Sequence, residues 1–330
     1  SAIDTELRSA LANHASPMYD MLRYHLGWVD EKGRPLRQPS GKALRPTLCL
    51  LACESEGADP HLALPAAAAL EMIHNFSLIH DDIQDDDRER HHRPTVWALW
   101  GKPQAINAGT AMRVLASLTL LRLADKGVSA ERQLRALRLL DESCLRLIEG
   151  QYLDISYESR LDIGVGDYLT MIEGKTATLI ACSLEMGAML GRDNEVTVRA
   201  LREYGLNLGF AFQIRDDMLG VWGEEERTGK PVGSDIRRRK KSFPIVFAFE
   251  NASGPAKAEL ERIYRSQTIQ DGAVASVLDI LETLRARRES QTLTERYRDR
   301  ALRALEGIKF EPSARQDLEE VALFLAERDH

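Results

Sequence analysis

The sequence predicts an all-α protein, and three observations carry that prediction. Apolar residues recur at helical spacing almost throughout, strand-like alternation is scarce, and aromatic residues make up only 6% of the 330. A hydrophobic content of 44% beside 29% charged residues belongs to a globular chain with a core.

In chain order, helical periodicity covers Leu44–Cys53, Leu62–His80, Ala105–Leu123, Gln133–Ile155, Tyr168–Leu190, Val196–Leu219 and Ala273–Leu284. Cys49 and Cys53 fall four apart, on one face of the first of these helices. With Cys144 and Cys182 they sit in apolar surroundings and form no CxxC pair, so buried free thiols are expected. Polar or Gly/Pro-rich breaks separate the helices at Asp30–Gly41, Gly57–Pro60, Arg88–Pro94, Gly223–Asp235 and Asn251–Gly254. None has the composition of an interdomain linker, and no fixed-period repeat appears. Residues 1–330 are therefore expected to form one domain of roughly ten or more helices.

A net charge of −7 argues against nucleic acid as a partner. The basic run Arg237–Lys241 is the local exception, and a solvated loop accounts for it when taken alone. Charge interrupts the long apolar stretches, as Glu185 does between Ala177 and Leu190, so no membrane span is expected. No secretory signal opens the sequence, and the thiols fit a reducing cytoplasm as the expected compartment.

Two acidic clusters carry the chemistry. The first, DDIQDDD at Asp81–Asp87, ends the segment Leu62–His80; Asp81 and Asp85 are four apart and share a helix face. A helix C-terminus already carries partial negative charge, which makes this a costly place for carboxylates unless a cation joins them. The second places Asp216 and Asp217 at the end of another apolar run, with Gln213 four residues before Asp217. A hard divalent cation such as Mg²⁺ takes oxygen ligands and shares them with substrate phosphates. The plainer alternative for either cluster is a solvated acidic helix end.

Basic residues accompany the clusters. Lys42 and Arg45 lie three apart at an expected helix start, Lys175 and Thr176 follow Gly174, and Lys230 sits in a Gly/Pro-bounded loop ahead of Lys240 and Lys241. The GxxxxGK[ST] spacing is absent, which excludes a P-loop kinase. Together these parts describe a site for diphosphates.

The ordered set from Gly41 to Pro244 (GKxxRP, DDxxD followed by an Arg and RPT, GKT, FQxxDD, GKPxGSD and KK) resembles the trans-isoprenyl diphosphate synthases, or polyprenyl synthetases. The resemblance implies a helical bundle around a central cavity, a homodimer, and head-to-tail condensation of isopentenyl diphosphate with an allylic diphosphate. It implies that Asp81, Asp85 and Asp216 ligate Mg²⁺, with Asp82 and Asp217 as secondary ligands. Arg90, Lys175, Thr176, Gln213 and Lys230 match positions that hold the allylic diphosphate. Lys42, Arg45 and His74 match the isopentenyl diphosphate site. Ionising the allylic C–O bond leaves charge on a diphosphate, and cations that bind this charge lower the barrier. The resemblance implies that the final proton goes to that leaving group.

Two departures stand out. His91 occupies the place of a second arginine that would face isopentenyl diphosphate, and an imidazole is only partly cationic near neutral pH. Gly220 replaces the last Asp of the second cluster, which predicts weakened metal binding. Phe76, five residues before Asp81, is the expected floor of the product tunnel, and this pattern resembles enzymes making geranylgeranyl diphosphate, then farnesyl diphosphate. The alternatives are a non-catalytic subunit of a heteromeric synthase and a class I terpene cyclase. The cyclase accounts for neither FQxxDD nor the Lys42/Arg45 anion site.

Overall fold

The structure, a computed structural model, describes residues 1–36, 43–224 and 231–327. It is 77% helical with almost no sheet. The helices of the first half are α1 (Ala2–Leu11), α2 (Pro17–His25), α3 (Leu44–Glu54), α4 (Leu64–Gln84), α5 (Val96–Trp100), α6 (Lys102–Leu121) and α7 (Ala130–Glu158). Those of the second are α8 (Val165–Ile172), α9 (Thr178–Gly191), α10 (Glu195–Trp222), α11 (Ser234–Arg237), α12 (Phe243–Asn251), α13 (Gly254–Arg265), α14 (Asp271–Thr283), α15 (Ala286–Ala304) and α16 (Pro312–Glu327). A two-residue hairpin pairs β1 (Glu89–Arg90) with β2 (Arg93–Pro94). The chain forms two compact units, Ser1–Glu142 with Ser183–Val198, and Ser143–Cys182 with Arg199–His330.

The first unit is built around α4. Pro65 stands in its first turn, where a missing N–H costs nothing. Ala66, Ala67, Ala68, Ala69 and Leu70 are all fully buried, so the helix is enclosed on every side. These small side chains let α1, α3 and α6 approach closely. Pro60–Gln84 is long and apolar enough to cross a membrane, yet 72% of its apolar window is buried, as in the core helix of a soluble protein. The helix runs beyond the predicted His80 to Gln84, with Asp85 as its cap, so Asp81 and Asp82 lie inside the last turn. Residues 183–191 pack on α3 through glycines. A Cβ on Gly187 or Gly191 would come under 3.0 Å from the carbonyl oxygen of Cys49 or Cys53. All four cysteines are buried thiols outside any disulfide.

The second unit gathers Tyr168, Phe210, Ile214, Phe243, Val246 and Tyr297 into one core, with the Phe210 and Tyr297 rings stacked at 4.6 Å. The single helix predicted over Tyr168–Leu190 is interrupted by a π-helical turn at Glu173–Ala177. The Thr178 N–H reaches back five residues to Glu173 O, and the Thr178 hydroxyl donates to the same oxygen at 2.8 Å. Gly150 and Gly174 make room for this turn, since a Cβ on either would come under 3.0 Å from the backbone of Lys175 or Arg146. Helix α10 continues to Trp222, so Asp216 and Asp217 sit within its closing turns.

Candidate functional site

Each Asp pair divides its labour the same way. In the first unit, Asp82 is buried while Asp81 and Asp85 are partly exposed. Arg90 at the hairpin holds Asp82 Oδ1 through Nε at 2.9 Å and Nη2 at 2.8 Å. Burial nonetheless pushes the Asp82 carboxyl up to about 6, with Arg90 opposing and Asp87 and Asp81 adding to the rise. In the second unit, Asp216 is exposed and Asp217 is buried under three donors. Tyr168 Oη donates to Asp217 Oδ2 at 2.7 Å, the Phe243 N–H to the same oxygen at 2.8 Å, and Gln213 Nε2 to Oδ1 at 2.9 Å. Burial raises the Asp217 carboxyl to about 7; Asp235 adds to the rise and the three donors oppose it.

The remaining predicted residues of the second unit join this network. Thr176 donates to Gln213 Oε1 at 2.7 Å, and Gln213 hands the contact on to Asp217. Lys175 is ion-paired with Asp154. Burial alone would raise the Asp154 carboxyl, but Lys175 and Lys240 outweigh it and hold it low. Lys241, buried, donates to Glu158 O at 2.9 Å, and its ammonium is pulled down to about 8, chiefly by burial. Asp154, Lys175, Gln213, Asp216, Asp217 and Lys240 border a cavity of about 250 Å³. Asp154 and Tyr168 are neighbours of these residues that the sequence left unmarked, because single residues carry no spacing signal.

In the first unit, Arg45, Arg90 and His25 lie near His74. Arg45 Nε is buried with no hydrogen-bond partner among the described residues, and burial lowers the guanidinium to about 10 against the pull of Glu71. His74 is driven well below the ordinary imidazole range by burial, then by Arg45, Arg90 and His25. Glu71 is raised by burial and accepts from Asn75 Nδ2 at 3.0 Å. Two guanidinium groups bearing on a neutral imidazole suit an anion. Phe76 is buried, its ring edge-on to His80 at 5.4 Å.

His91 and His92 form the hairpin turn, with φ of 51° and 59°, and both are exposed. Two consecutive positive φ values are those of a I′ turn, usually given to Asn and Gly. Arg93 does not take the place of the missing arginine. Its guanidinium donates to Val29 O at 3.0 Å and Tyr24 O at 3.3 Å and lies 4.2 Å over the Tyr24 ring. Lys42 and Lys230 lie outside the described residues.

The donors fit a hard divalent cation. They are carboxylate oxygens throughout, and in each pair a more exposed carboxylate precedes a buried one. Mg²⁺ binds through one or two carboxylates plus phosphates, so it requires no closed protein cage. Among the described residues, no three of His, Cys, Asp and Glu form such a cage.

The chain is similar to known proteins of one family. Residues 27–281 match the polyprenyl synthetase family model. A (2E,6E)-farnesyl diphosphate synthase of Mycobacterium bovis is 41% identical over 322 residues, 96% of this chain and 88% of that one. A geranylgeranyl diphosphate synthase of Mycobacterium tuberculosis is 40% identical over 79% of this chain and 73% of that one. The crystal structure of a polyprenyl synthetase from Streptomyces coelicolor A3(2) superposes with a TM-score of 0.91 at 38% identity, covering 99% and 97% of the two chains.

Proposed function

This chain belongs to the polyprenyl synthetase family and is a prenyltransferase, and on that premise we propose that it condenses isopentenyl diphosphate head-to-tail with an allylic diphosphate in a Mg²⁺-dependent reaction. Geranylgeranyl diphosphate is the favoured product and farnesyl diphosphate the second. One observation carries the reading: in both DD pairs the first carboxylate reaches outward while the second is locked by donors. The match over residues 27–281 draws on segments of both units, which supports reading the chain as one catalytic domain.

Asp81, Asp85 and Asp216 are the proposed metal ligands, with Asp82 and Asp217 holding the geometry behind them. Mg²⁺ would supply Lewis-acid stabilisation of the departing diphosphate. Lys175, Thr176, Gln213, Arg90 and Lys230 orient the allylic diphosphate. Arg45, His74 and Lys42 hold isopentenyl diphosphate, aided by His91. The neutral His74 expected from its lowered pKa donates one hydrogen bond without adding charge beside Arg45.

Homodimerisation is part of the proposal. Helix α6 exposes Ile106, Val114, Leu118 and Leu121, a stripe at helical spacing that a second copy would cover. The same stripe favours one other reading, a non-catalytic subunit that docks a different synthase chain. Incubation of the purified protein alone with Mg²⁺, isopentenyl diphosphate and each allylic primer in turn separates the two. The synthase reading expects linear products that vanish with a chelator; no product with any primer overturns it. Light scattering reports the oligomeric state.

A further inference from the structure

Gly109 stands in the buried interior of α6, where a glycine is less stable than an alanine, so its presence calls for a local reason. The reason is the imidazole of His80 on α4. A Cβ on Gly109 would come under 3.0 Å from both Cδ2 and Nε2 of that ring, an approach no real side chain tolerates. The next atom it would meet, Ile79 Cγ2 at 3.4 Å, is in ordinary contact. The imidazole is therefore seated on the backbone of α6. His80 Nε2 donates to Ile106 O at 3.3 Å, since a carbonyl only accepts, and Ile106 lies one turn before Gly109. The same imidazole meets the Phe76 ring, one turn back along α4, edge-on at 5.4 Å and 81° between planes. Gly109, His80 and Phe76 are thus in contact in series.

We propose that His80 and Gly109 are positioning residues for product length: the imidazole, seated on the glycine, holds the Phe76 ring in the orientation that closes the tunnel. The proposal rests on the reading of Phe76 as the tunnel floor. A phenylalanine has more than one staggered rotamer open to it, so its identity alone does not define a floor. An aromatic neighbour one turn away, itself fixed to a second helix, narrows that choice. Each residue has one part in this: Gly109 leaves the space, His80 fills it, and Phe76 packs against His80. Neither His80 nor Gly109 touches the reacting atoms, and both act through Phe76.

The test is product length, read by chromatography of the dephosphorylated prenols, with KM for both diphosphates and melting temperatures measured beside it. His80→Ala should add to the wild-type product a second one, longer by one five-carbon unit, and leave both KM values unchanged. Gly109→Ala should do the same, because the added methyl and the imidazole compete for one volume. Gly109→Ala placed in the His80→Ala protein should add nothing, since that volume is then empty; residues in contact are non-additive in this way. His80→Gln is the milder variant, which keeps a donor for Ile106 O without the ring, and it should give the same mixture as His80→Ala. Wild-type product length in His80→Gln would assign the hold to the hydrogen bond and overturn the role of the ring. A further change in length when Gly109→Ala is added to His80→Ala also overturns the proposal. Longer products from Phe76→Ala beside wild-type length in every His80 and Gly109 variant overturn the positioning role alone. Wild-type length in Phe76→Ala overturns the tunnel-floor reading as well.

Discussion

Tyr168 donates its phenolic proton to Asp217 Oδ2 across 2.7 Å, with both side chains buried. The hydrogen bond spans α8 and α10 and fixes a carboxylate whose neighbour, Asp216, is exposed. Tyr168→Phe keeps the ring and removes one of the three donors to Asp217. A hydrogen bond to a charged group contributes about 1.5–3 kcal/mol, so the unfolding free energy should fall by about that much. Turnover should fall about tenfold, equivalent to about 1.4 kcal/mol at the transition state. Urea unfolding and steady-state kinetics measure the two losses. Unchanged kinetics would show that Gln213 and Phe243 hold Asp217 without help.

Lys175 is the second case, because its ion pair with Asp154 aims an ammonium at the cavity. Lys175→Gln should raise KM for the allylic diphosphate about tenfold, or about 1.4 kcal/mol of binding, and leave KM for isopentenyl diphosphate unchanged. Equal increases in both constants would remove Lys175 from a substrate-selective role.

How far this site was legible in the sequence depended on whether spacing carried the information. Asp81/Asp85, Asp216/Asp217 and Lys175/Thr176 stand in short motifs, and helical geometry puts Asp81 with Asp85, and Gln213 with Asp217, on one face. The all-α class followed from periodicity, as did the helices around the clusters. The brace behind each pair did not. Tyr168 holds Asp217 and Asp154 holds Lys175 from separate segments, and no local pattern encodes such packing. The π-helical turn was hidden for a related reason: one extra residue leaves the apolar spacing on either side looking continuous. Arg93 stands two residues from His91 in the sequence, yet its guanidinium is held by the carbonyls of Tyr24 and Val29, a packing that spacing does not encode.

Phe76 supplies a third prediction. It is buried against His80 one turn below the acidic cluster, where a growing chain would meet it. Phe76→Ala should lengthen the product by at least one five-carbon unit, read by chromatography of the dephosphorylated prenols. Phe→Ala in a core costs about 3–5 kcal/mol, so Phe76→Leu serves as the milder companion. Unchanged product length in a folded Phe76→Ala protein would remove it from the tunnel floor.

Acid sensitivity follows from His25. Burial, then Arg90, Arg93 and His91, lower its imidazole from 6.5 to about 3, against a hydrogen bond with Asn75 that raises it. The folded state thus holds His25 neutral where the unfolded chain would protonate it. Stability from this group is fully present above pH 6.5 and is lost as pH falls towards 3. His25→Gln should flatten this part of the stability profile by more than about 1.4 kcal/mol, the value of one pKa unit. Urea midpoints across the acid range test it; an unaltered slope would assign the acid loss to other groups.

The π-helical turn at Glu173–Ala177 has a further consequence, for the length of the chain. The wide turn takes up one residue more than an α-helical turn, so removing one there would restore ordinary winding while the flanking segments keep their facing. What would be lost is the turn itself, which sets Lys175 against Asp154 and Thr176 against Gln213. An in-frame loss of a single codon would therefore do more harm than most substitutions in the same stretch. The constraint here falls on the number of residues, so insertions and deletions are the changes this segment cannot absorb.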